Sequence, residues 1–252
     1  MARAAVLGRL TWQVATLTAT RDETATAKTL VLDVPGWPGH LAGQHVDVRL
    51  TAPDGYTAER SYSIASPPDG DRLELTVQRI ADGEVSPYLT ETLEAGDQLE
   101  LRGPIGGWFV WDPDSAAPVL LVAGGSGVVP LMSMIRARAR AGSGNKVPFR
   151  LIYSVRTPAD ALYADELTKR ARDDSLGLSY VYTRMAPPGG PAPGRISATV
   201  IASAGWPARS PEPPAVFVCG PTGFVEAAAR LLIDAGHAPA RIKTERFGPT
   251  GT

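Results

Sequence analysis

Apolar and polar residues follow two different patterns along the chain, and the pattern changes near residue 111. Up to about residue 110, short runs of alternating apolar and polar residues are separated by turn-forming clusters such as PGWPGH and PPDGD. Alternation with a period of two predicts half-buried β-strands, here over residues 11–18, 29–34, 45–50, 61–65, 73–79 and 98–102. Several short strands at this spacing predict a small antiparallel Greek-key β-barrel.

Beyond residue 118, short apolar runs alternate with amphipathic stretches. The runs predict strands over residues 119–122, 149–155, 178–183, 215–219 and 241–247, and the stretches predict helices over residues 161–172, 197–204 and 222–235. Such alternation is typical of a parallel sheet with helices on both faces. We therefore predict a two-domain α+β fold, with an antiparallel barrel in residues 1–112 and a Rossmann-like α/β domain in residues 113–252. WDPDSAAP, residues 111–118, is the predicted linker.

A glycine-rich turn follows the first strand of the second half. Gly124, Gly125 and Gly127 come directly after the strand, and Pro130 stands where a first helical residue is expected. Glycines let a ligand approach the backbone closely, and a helix N-terminus offers unpaired N–H groups to phosphate. The turn predicts a dinucleotide site. Because the spacing is G-x-G-x-x-P, tight packing of the turn stays open as an alternative.

Two segments of the first half contain groups suited to a planar, phosphorylated ligand. In the run Arg60, Ser61, Tyr62, Ser63, a strand directs the cation and the aromatic ring to one face and the hydroxyls to the other. Further on, a turn with Gly83 leads into a short predicted helix over residues 86–93, which Ser86 caps. An ordinary barrel strand and a plain turn are the alternatives.

Composition narrows the classes of function. With 44% apolar and 20% charged residues, the chain has ordinary globular composition. Its net charge of −1 argues against a general nucleic-acid binder. It has no apolar run of membrane-spanning length, and MARAAVLGRLTWQ at its start lacks the apolar core of a leader, so we expect a cytoplasmic protein. Separately, we expect a monomer. Its single Cys219 excludes a disulfide within the chain and a cysteine-ligated cluster, and its three histidines lack metal-ligand spacing; no metal is expected.

Five short motifs, in order along almost the whole chain, resemble those of the ferredoxin–NADP reductase family of flavoproteins. Residues 60–63 are similar to the family's R-x-Y-S/T motif, residues 83–86 to G-x-x-S, residues 103–106 to G-P-x-G, residues 124–130 to G-G-T-G-x-x-P, and residues 219–221 to C-G-P. Ser126 replaces the usual Thr and keeps the hydroxyl. The resemblance implies bound FAD and a nicotinamide dinucleotide.

The resemblance also implies roles for individual residues. Arg60 is expected to pair with the FAD pyrophosphate, Tyr62 to lie against the isoalloxazine, and Ser63 to hydrogen-bond near flavin N5. The other expected flavin-site residues are Ser61, Val77, Arg79, Gly83, Glu84, Val85 and Ser86. The expected nicotinamide-site residues are Gly125, Ser126, Gly127, Pro130, Cys219, Gly220 and Pro221, with Cys219 near the reactive carbon.

Two residues near the end of the sequence are further candidates. The family often covers its flavin with a carboxy-terminal aromatic residue, and Phe247 is the candidate here, although five residues follow it. Glu245 is assigned to the same catalytic site, with a surface carboxylate as the alternative.

Arginines after the second and third strands favour NADPH over NADH. In dinucleotide folds an acidic residue after the second strand binds the ribose 2′-hydroxyl of NAD, whereas an arginine accommodates the 2′-phosphate of NADP. This chain offers Arg156 there, Thr183 and Arg184 after the next strand, and Arg195 beyond. Asp160 is close enough to pair with Arg156, so NADH stays the alternative.

The resulting hypothesis is an FAD-dependent reductase that takes hydride from NADPH and passes electrons to a separate acceptor: a ferredoxin, a flavodoxin or an oxygenase component. With one cysteine and only five residues after Phe247, we expect no ferredoxin domain. An NADH-dependent reductase of free flavin or quinones, and a flavin-binding electron-transfer subunit of a larger complex, stay open. Arg102, Arg136, Arg138 and Arg140 are candidates for a basic docking surface or for helix arginines that face water.

Overall fold

The alternating first half of the chain forms an antiparallel sheet in the computed structural model, which describes residues 10–141 and 147–248. Within these ranges its six strands are β1 (Trp12–Thr24), β2 (Ala27–Asp33), β3 (His45–Thr51), β4 (Thr57–Ser63), β5 (Arg72–Gln78) and β6 (Gln98–Ile105). They pair in the order β4-β3-β6-β1-β2-β5, and a bridge between Ile64 and Leu75 joins the outer strands. The sheet therefore curls into the predicted Greek-key barrel.

Pairing extends two strands beyond their predicted ends. β1 continues to Thr24 because it pairs with β2 along this stretch, and β4 begins at Thr57 because it pairs with β3 from that residue to Ser63. The start of β4, TAER, has no apolar alternation, so sequence pattern alone did not mark it as a strand.

The short helix of the first half is a π-helical turn, Tyr88–Thr92, and Ser86 does not cap it. The Ser86 hydroxyl instead accepts a hydrogen bond from the backbone N–H of Ile80 at 3.0 Å. This bond closes the turn that contains Gly83, so the expectation of a serine N-cap is wrong.

The second half forms the predicted parallel sheet. In the described part of this half the strands are β7 (Val119–Gly124), β8 (Phe149–Val155), β9 (Gly177–Tyr182), β10 (Ala215–Pro221) and β11 (Ile242–Phe247), in the order β11-β10-β7-β8-β9. The helices are α1 (Val128–Arg140), α2 (Ala164–Asp173), α3 (Ala198–Ala204) and α4 (Thr222–Asp234). Separate apolar clusters cover the two faces of this sheet. Pro130 is the third residue of α1 rather than the first. It still lies in the first turn, where its missing N–H costs no helical hydrogen bond.

The barrel and the parallel sheet share one buried apolar cluster. Ala65 and Phe109 of the first half belong to the same cluster as Leu131 and Met132 of α1. The start of the predicted linker is also held, since Trp111 is buried and donates its backbone N–H to the carbonyl of Ala42 at 3.1 Å.

In the described ranges, none of the helices combines the length and the apolar character needed to cross a bilayer. The predicted absence of a leader concerns the start of the chain, and residues 1–9 lie outside the described residues.

Candidate cofactor-binding site

A cleft of about 930 Å³ opens between the barrel and the parallel sheet. Its volume is within the range of small-molecule and cofactor sites. Residues from both halves line it, and many belong to the predicted site: Arg60, Ser61, Tyr62, Ser63, Gly83, Glu84, Val85, Ser86, Gly125, Ser126, Arg156, Thr183, Pro221 and Phe247.

β4 supplies the barrel side of the cleft through two alternating faces. Tyr62 is paired in register with buried Val46 and packs against the barrel core, whereas Ser63 is paired with His45 on the opposite face. Burial raises the pKa of Tyr62 to about 12, so its ring stays neutral at physiological pH. The strand therefore presents a fixed neutral aromatic ring beside a serine hydroxyl.

The two predicted pyrophosphate elements meet at Arg60. Its Nη2 lies 3.4 Å from Oε2 of Glu84, and the Tyr56 hydroxyl donates to Oε1 of the same carboxylate at 3.1 Å. The Arg60 and Glu84 side chains are each more than half exposed, so solvent weakens this ion pair. Arg60 is therefore free to exchange Glu84 for a stronger anion such as a pyrophosphate.

Near the end of β5, the residues that face the cleft are the sequence neighbours of the predicted Val77 and Arg79. Val77 is fully buried in the barrel core, and Arg79 pairs with Glu91 at 3.0 Å. Thr76, Gln78 and Ile80 line the cleft instead. The sequence pattern could have predicted this, because apolar Leu73, Leu75 and Val77 mark the buried face of the strand and place the even-numbered residues on the other face.

The parallel sheet offers its topological switch point to the cleft. The chain leaves β7 toward β8 on one side, while β10 pairs with β7 on the other, and Gly124 and Pro221 at the ends of these strands both line the cleft. Ligands bind at such switch points in open α/β sheets. Gly125, with φ +53° and open space where a Cβ would stand, leads toward the N-terminus of α1. Its backbone is thus accessible to a phosphate.

Cys219 and Glu245 lie behind the cleft surface. Cys219 is 1% exposed, and burial, with the nearby charge of Glu245, raises the pKa of its thiol well above the usual range. Oε1 of Glu245 lies 3.6 Å from Nδ1 of His45, while Oε2 is buried and has no hydrogen-bond partner among the described residues. A buried oxygen without a donor is energetically unfavourable, and in this conformation its burial keeps it out of reach of a ligand in the cleft.

The remaining predicted residues take different positions. Phe247 ends β11 opposite Pro221 and is 39% exposed at the cleft. Gly127, Pro130 and Gly220 do not line the cleft surface.

Arg156 already has an acidic partner inside the cleft. Its Nη2 lies 2.5 Å from Oδ1 of Asp160, and Oδ2 of the same carboxylate accepts hydrogen bonds from the backbone N–H and the hydroxyl of Thr157. Although burial opposes ionisation, these hydrogen bonds lower the pKa of Asp160. Arg184 and Arg195 are exposed, do not line the cleft, and have no ion-pair partner in the described part of the chain.

Each of the four arginines considered as a docking surface is engaged by other groups of the protein. Arg102 pairs with Asp47 on the barrel, Arg138 lies over the ring of Phe149, and Arg140 pairs with Asp69. Arg136 neither docks a partner nor faces water, because it is buried between the two halves.

The residues fit a flavin and a dinucleotide better than a metal. Within residues 10–141 and 147–248, no group of three or more His, Cys, Asp or Glu side chains is arranged to hold an ion. The cleft instead combines a cation beside a phosphate-sized turn, the aromatic rings of Tyr62, Phe224 and Phe247, and a glycine turn before a helix. These are the groups that FAD and a nicotinamide dinucleotide require.

Known proteins share both halves of this arrangement. Residues 15–110 match the oxidoreductase FAD-binding domain, and residues 121–230 match the oxidoreductase NAD-binding domain. The ferredoxin–NADP reductase B of Sorangium cellulosum is 39% identical over 188 residues, which cover 71% of this chain and 73% of that protein. The glycine betaine monooxygenase reductase subunit of Chromohalobacter salexigens is 34% identical over 212 residues, which cover 82% of this chain and 56% of that protein.

A solved structure extends the similarity to the whole architecture. The cytochrome P450 reductase GcoB of Amycolatopsis superposes with a TM-score of 0.80 at 27% identity, covering 96% of this chain and 71% of that chain.

Proposed function

Because the chain belongs to the ferredoxin–NADP reductase family of FAD- and NAD(P)-binding oxidoreductases, we propose that it takes hydride from NADPH and passes electrons to a separate redox protein. A ferredoxin, a flavodoxin or an oxygenase component is the proposed acceptor. The observation that carries the proposal is the shared cleft, whose walls bring Tyr62 and Ser63 of the barrel to the same cavity as Gly125 and Ser126 of the parallel sheet. We also propose that the two halves are separate domains that divide near residue 112.

In this proposal the barrel holds most of the FAD and the parallel sheet holds the dinucleotide, while Phe247 of the parallel sheet also reaches the flavin. Arg60 and the turn at residues 83–86 hold the FAD pyrophosphate, Tyr62 and Phe247 flank the isoalloxazine, and Gly125 with Ser126 holds the dinucleotide. When bound, the flavin accepts two electrons from the nicotinamide and releases them to acceptors one at a time. The protein contributes positioning and the exclusion of competing reactions.

Cys219 and Glu245, behind the cleft, affect its polarity and do not themselves transfer electrons or protons. The Cys219 thiol stays protonated, because its pKa is raised by burial, and so adds bulk but no anion beside the nicotinamide. Oε2 of Glu245 is buried behind the cleft without a hydrogen-bond partner among the described residues, so it accepts from a bound ligand only if the carboxylate turns toward the cleft.

The preference for NADPH rests on the third strand. Thr183 lines the cleft, and the exposed guanidiniums of Arg184 and Arg195 have no acidic partner among the described residues. A free guanidinium suits a 2′-phosphate. The relative from Sorangium is named for NADP, which supports the same choice.

One observation favours NADH as a second candidate. The ionised Asp160 stands in the cleft beside Arg156, and a carboxylate in this region suits a ribose 2′-hydroxyl. The alternative acceptor, free flavin or a quinone, shares this donor.

Turnover of the purified FAD-loaded protein separates these possibilities. Oxidation of NADPH and of NADH is measured with ferricyanide, with a ferredoxin, and with free flavin. We expect a higher kcat/KM for NADPH and a faster rate with the ferredoxin than with free flavin. A higher kcat/KM for NADH contradicts the donor assignment, and exclusive turnover of free flavin contradicts the protein acceptor.

A further inference from the structure

Helix α1 connects the two walls of the cleft directly. Its N-terminus follows the glycine turn at residues 125–127, and farther along the helix Arg136 reaches the barrel. From Gly127 to Arg136 the helix rises about 14 Å. Arg136 Nη1 donates to the carbonyl of Ala65 at 3.0 Å, and Ala65 follows Ser63 by only two residues. One rigid helix thus joins the dinucleotide turn to the flavin strand.

Arg136 is held by acceptors from both halves. Nη1 also lies 3.1 Å from Oε2 of Glu74 on β5, while Nη2 lies 2.6 Å from Oε2 of Glu166 on α2. The Arg136 side chain is only 9% exposed. Although burial opposes its charge, the Glu166 carboxylate raises the pKa of Arg136, which therefore stays a cation. The guanidinium fork fixes three separate elements at once.

Glu74 is itself anchored to the segment that follows β4. Its backbone N–H donates to Ser66 Oγ at 3.0 Å, and its carbonyl accepts from the N–H of Ala65 at 2.7 Å. Arg136 therefore binds Ala65 directly and again through Glu74. One turn earlier on α1, the hydroxyl of Ser133 donates to the carbonyl of Ser66 at 2.7 Å.

Tyr163 forms a second connection between the halves. It adopts φ +57°, a left-handed conformation that a bulky residue takes only when its surroundings impose it. Its hydroxyl donates to Thr76, which lines the cleft, and its backbone N–H donates to Glu23 Oε2 at 3.3 Å. The Tyr163 ring lies 5.1 Å from the Arg136 guanidinium carbon. Several independent contacts around Arg136 thus hold the two halves together.

We propose that Arg136 is a positioning residue that sets the distance between the two bound cofactors. This inference rests on the proposed function, in which the barrel holds most of the flavin and the parallel sheet holds the dinucleotide. Hydride transfer requires the reacting atoms about 3–3.5 Å apart, and a displacement of about 1 Å costs on the order of 100-fold in rate. Since the flavin is held mainly by the barrel and the dinucleotide by the parallel sheet, contacts between the halves determine that distance.

The test compares three variants of the FAD-loaded protein: Arg136→Lys, Arg136→Met and the control Arg138→Met. The control removes an arginine side chain from the same helix. Arg138, however, packs over Phe149 of the parallel sheet and makes no hydrogen bond to the barrel in the described residues. Stopped-flow absorbance gives the rate of flavin reduction at saturating NADPH and NADH, the Kd of each nucleotide, and the charge-transfer band between nicotinamide and flavin.

We expect Arg136→Lys and Arg136→Met to reduce flavin roughly 10- to 100-fold more slowly at saturation, with a weaker charge-transfer band and unchanged Kd values. Arg138→Met is expected to keep the wild-type rate and band. Lysine retains the charge and supports folding if methionine does not, while its single ammonium cannot reproduce the fork.

Two results overturn the inference. One is a wild-type rate at saturation in Arg136→Lys; the other is loss of FAD or a lower Tm in either variant while the remaining holoprotein keeps the wild-type rate and band. If neither nucleotide reduces the wild-type flavin, the proposed function has failed, and the inference falls with it. The wild-type trace therefore distinguishes the two failures.

Discussion

Gly127 packs against the carbonyl of Cys219 so closely that a Cβ on the glycine would lie 2.2 Å from that oxygen. The contact joins the turn after β7 to the end of β10, the two strands that flank the switch point. Gly127 has φ −62°, so an alanine there is conformationally acceptable and only the missing space opposes it. Tight packing therefore explains Gly127, while phosphate access remains the proposal for Gly125.

Gly127→Ala is expected to destabilise the protein by about 1–3 kcal/mol, because backbone atoms of β10 must move away from the new methyl group. Urea unfolding monitored by tryptophan fluorescence measures the change. Gly223→Ala is the control, since a Cβ at Gly223 meets nothing within 4 Å in helix α4. Equal midpoints for Gly127→Ala and the wild type contradict the packing explanation.

Arg60→Ala is expected to weaken FAD binding about 10- to 100-fold, because a charge-assisted hydrogen bond to the pyrophosphate is lost. The matched variant Glu84→Gln keeps the arginine and removes the carboxylate 3.4 Å from it, so FAD affinity is expected to rise. Fluorescence titration of the apoprotein with FAD gives both Kd values. If Arg60→Ala binds FAD as tightly as the wild type, the pyrophosphate does not bind at Arg60.

Cys219 is expected to be unreactive in the folded protein. Burial keeps the thiol inaccessible and raises its pKa, so the thiol stays neutral at pH 8. The stability gained from this neutral form is lost only as the pH rises through the raised pKa. Labelling with a thiol reagent that absorbs on reaction is expected to be slow in buffer and fast in urea. Since Cys219 is the single cysteine of the chain, no second thiol can mask the result. Fast labelling of the native protein shows that the residue is open to solvent.

Arg184→Ala is expected to lower kcat/KM for NADPH about 10-fold and to leave kcat/KM for NADH unchanged, because only NADPH carries the 2′-phosphate. Asp160→Asn is expected to change the ratio in the opposite direction, since it frees Arg156 from its ion pair. Steady-state oxidation of each nucleotide with ferricyanide, measured for the wild type and both variants, gives six values of kcat/KM. An equal loss for both nucleotides in Arg184→Ala indicates that this arginine does not select the 2′-phosphate.

Sequence pattern predicted the fold well because most elements carry their own periodicity. The alternation of Leu73 and Leu75 identified β5, and the apolar run at residues 119–122 identified β7. β4 was shortened because the start of its sequence is polar and becomes a strand only by pairing with β3. Pairing between strands is a long-range interaction that local periodicity does not report.

The site was predicted by motif more than by burial. Arg60, Tyr62 and Gly125 line the cleft, and their cofactor contacts stay a prediction, whereas Arg136 was expected on a docking surface or in solvent. An arginine on an amphipathic helix normally faces water. Its burial depends on Glu74 of the barrel and Glu166 of α2, which no local pattern brings together.

Anaerobic stopped-flow absorbance of the purified FAD-loaded protein, mixed separately with NADPH and with NADH, tests most directly whether the cleft holds both cofactors. We expect rapid bleaching of the visible flavin band, faster with NADPH than with NADH. Faster bleaching with NADH leaves the two-cofactor cleft intact and removes the assigned role of Arg184 and Arg195. Absence of bleaching with both nucleotides contradicts the cleft as a site of hydride transfer.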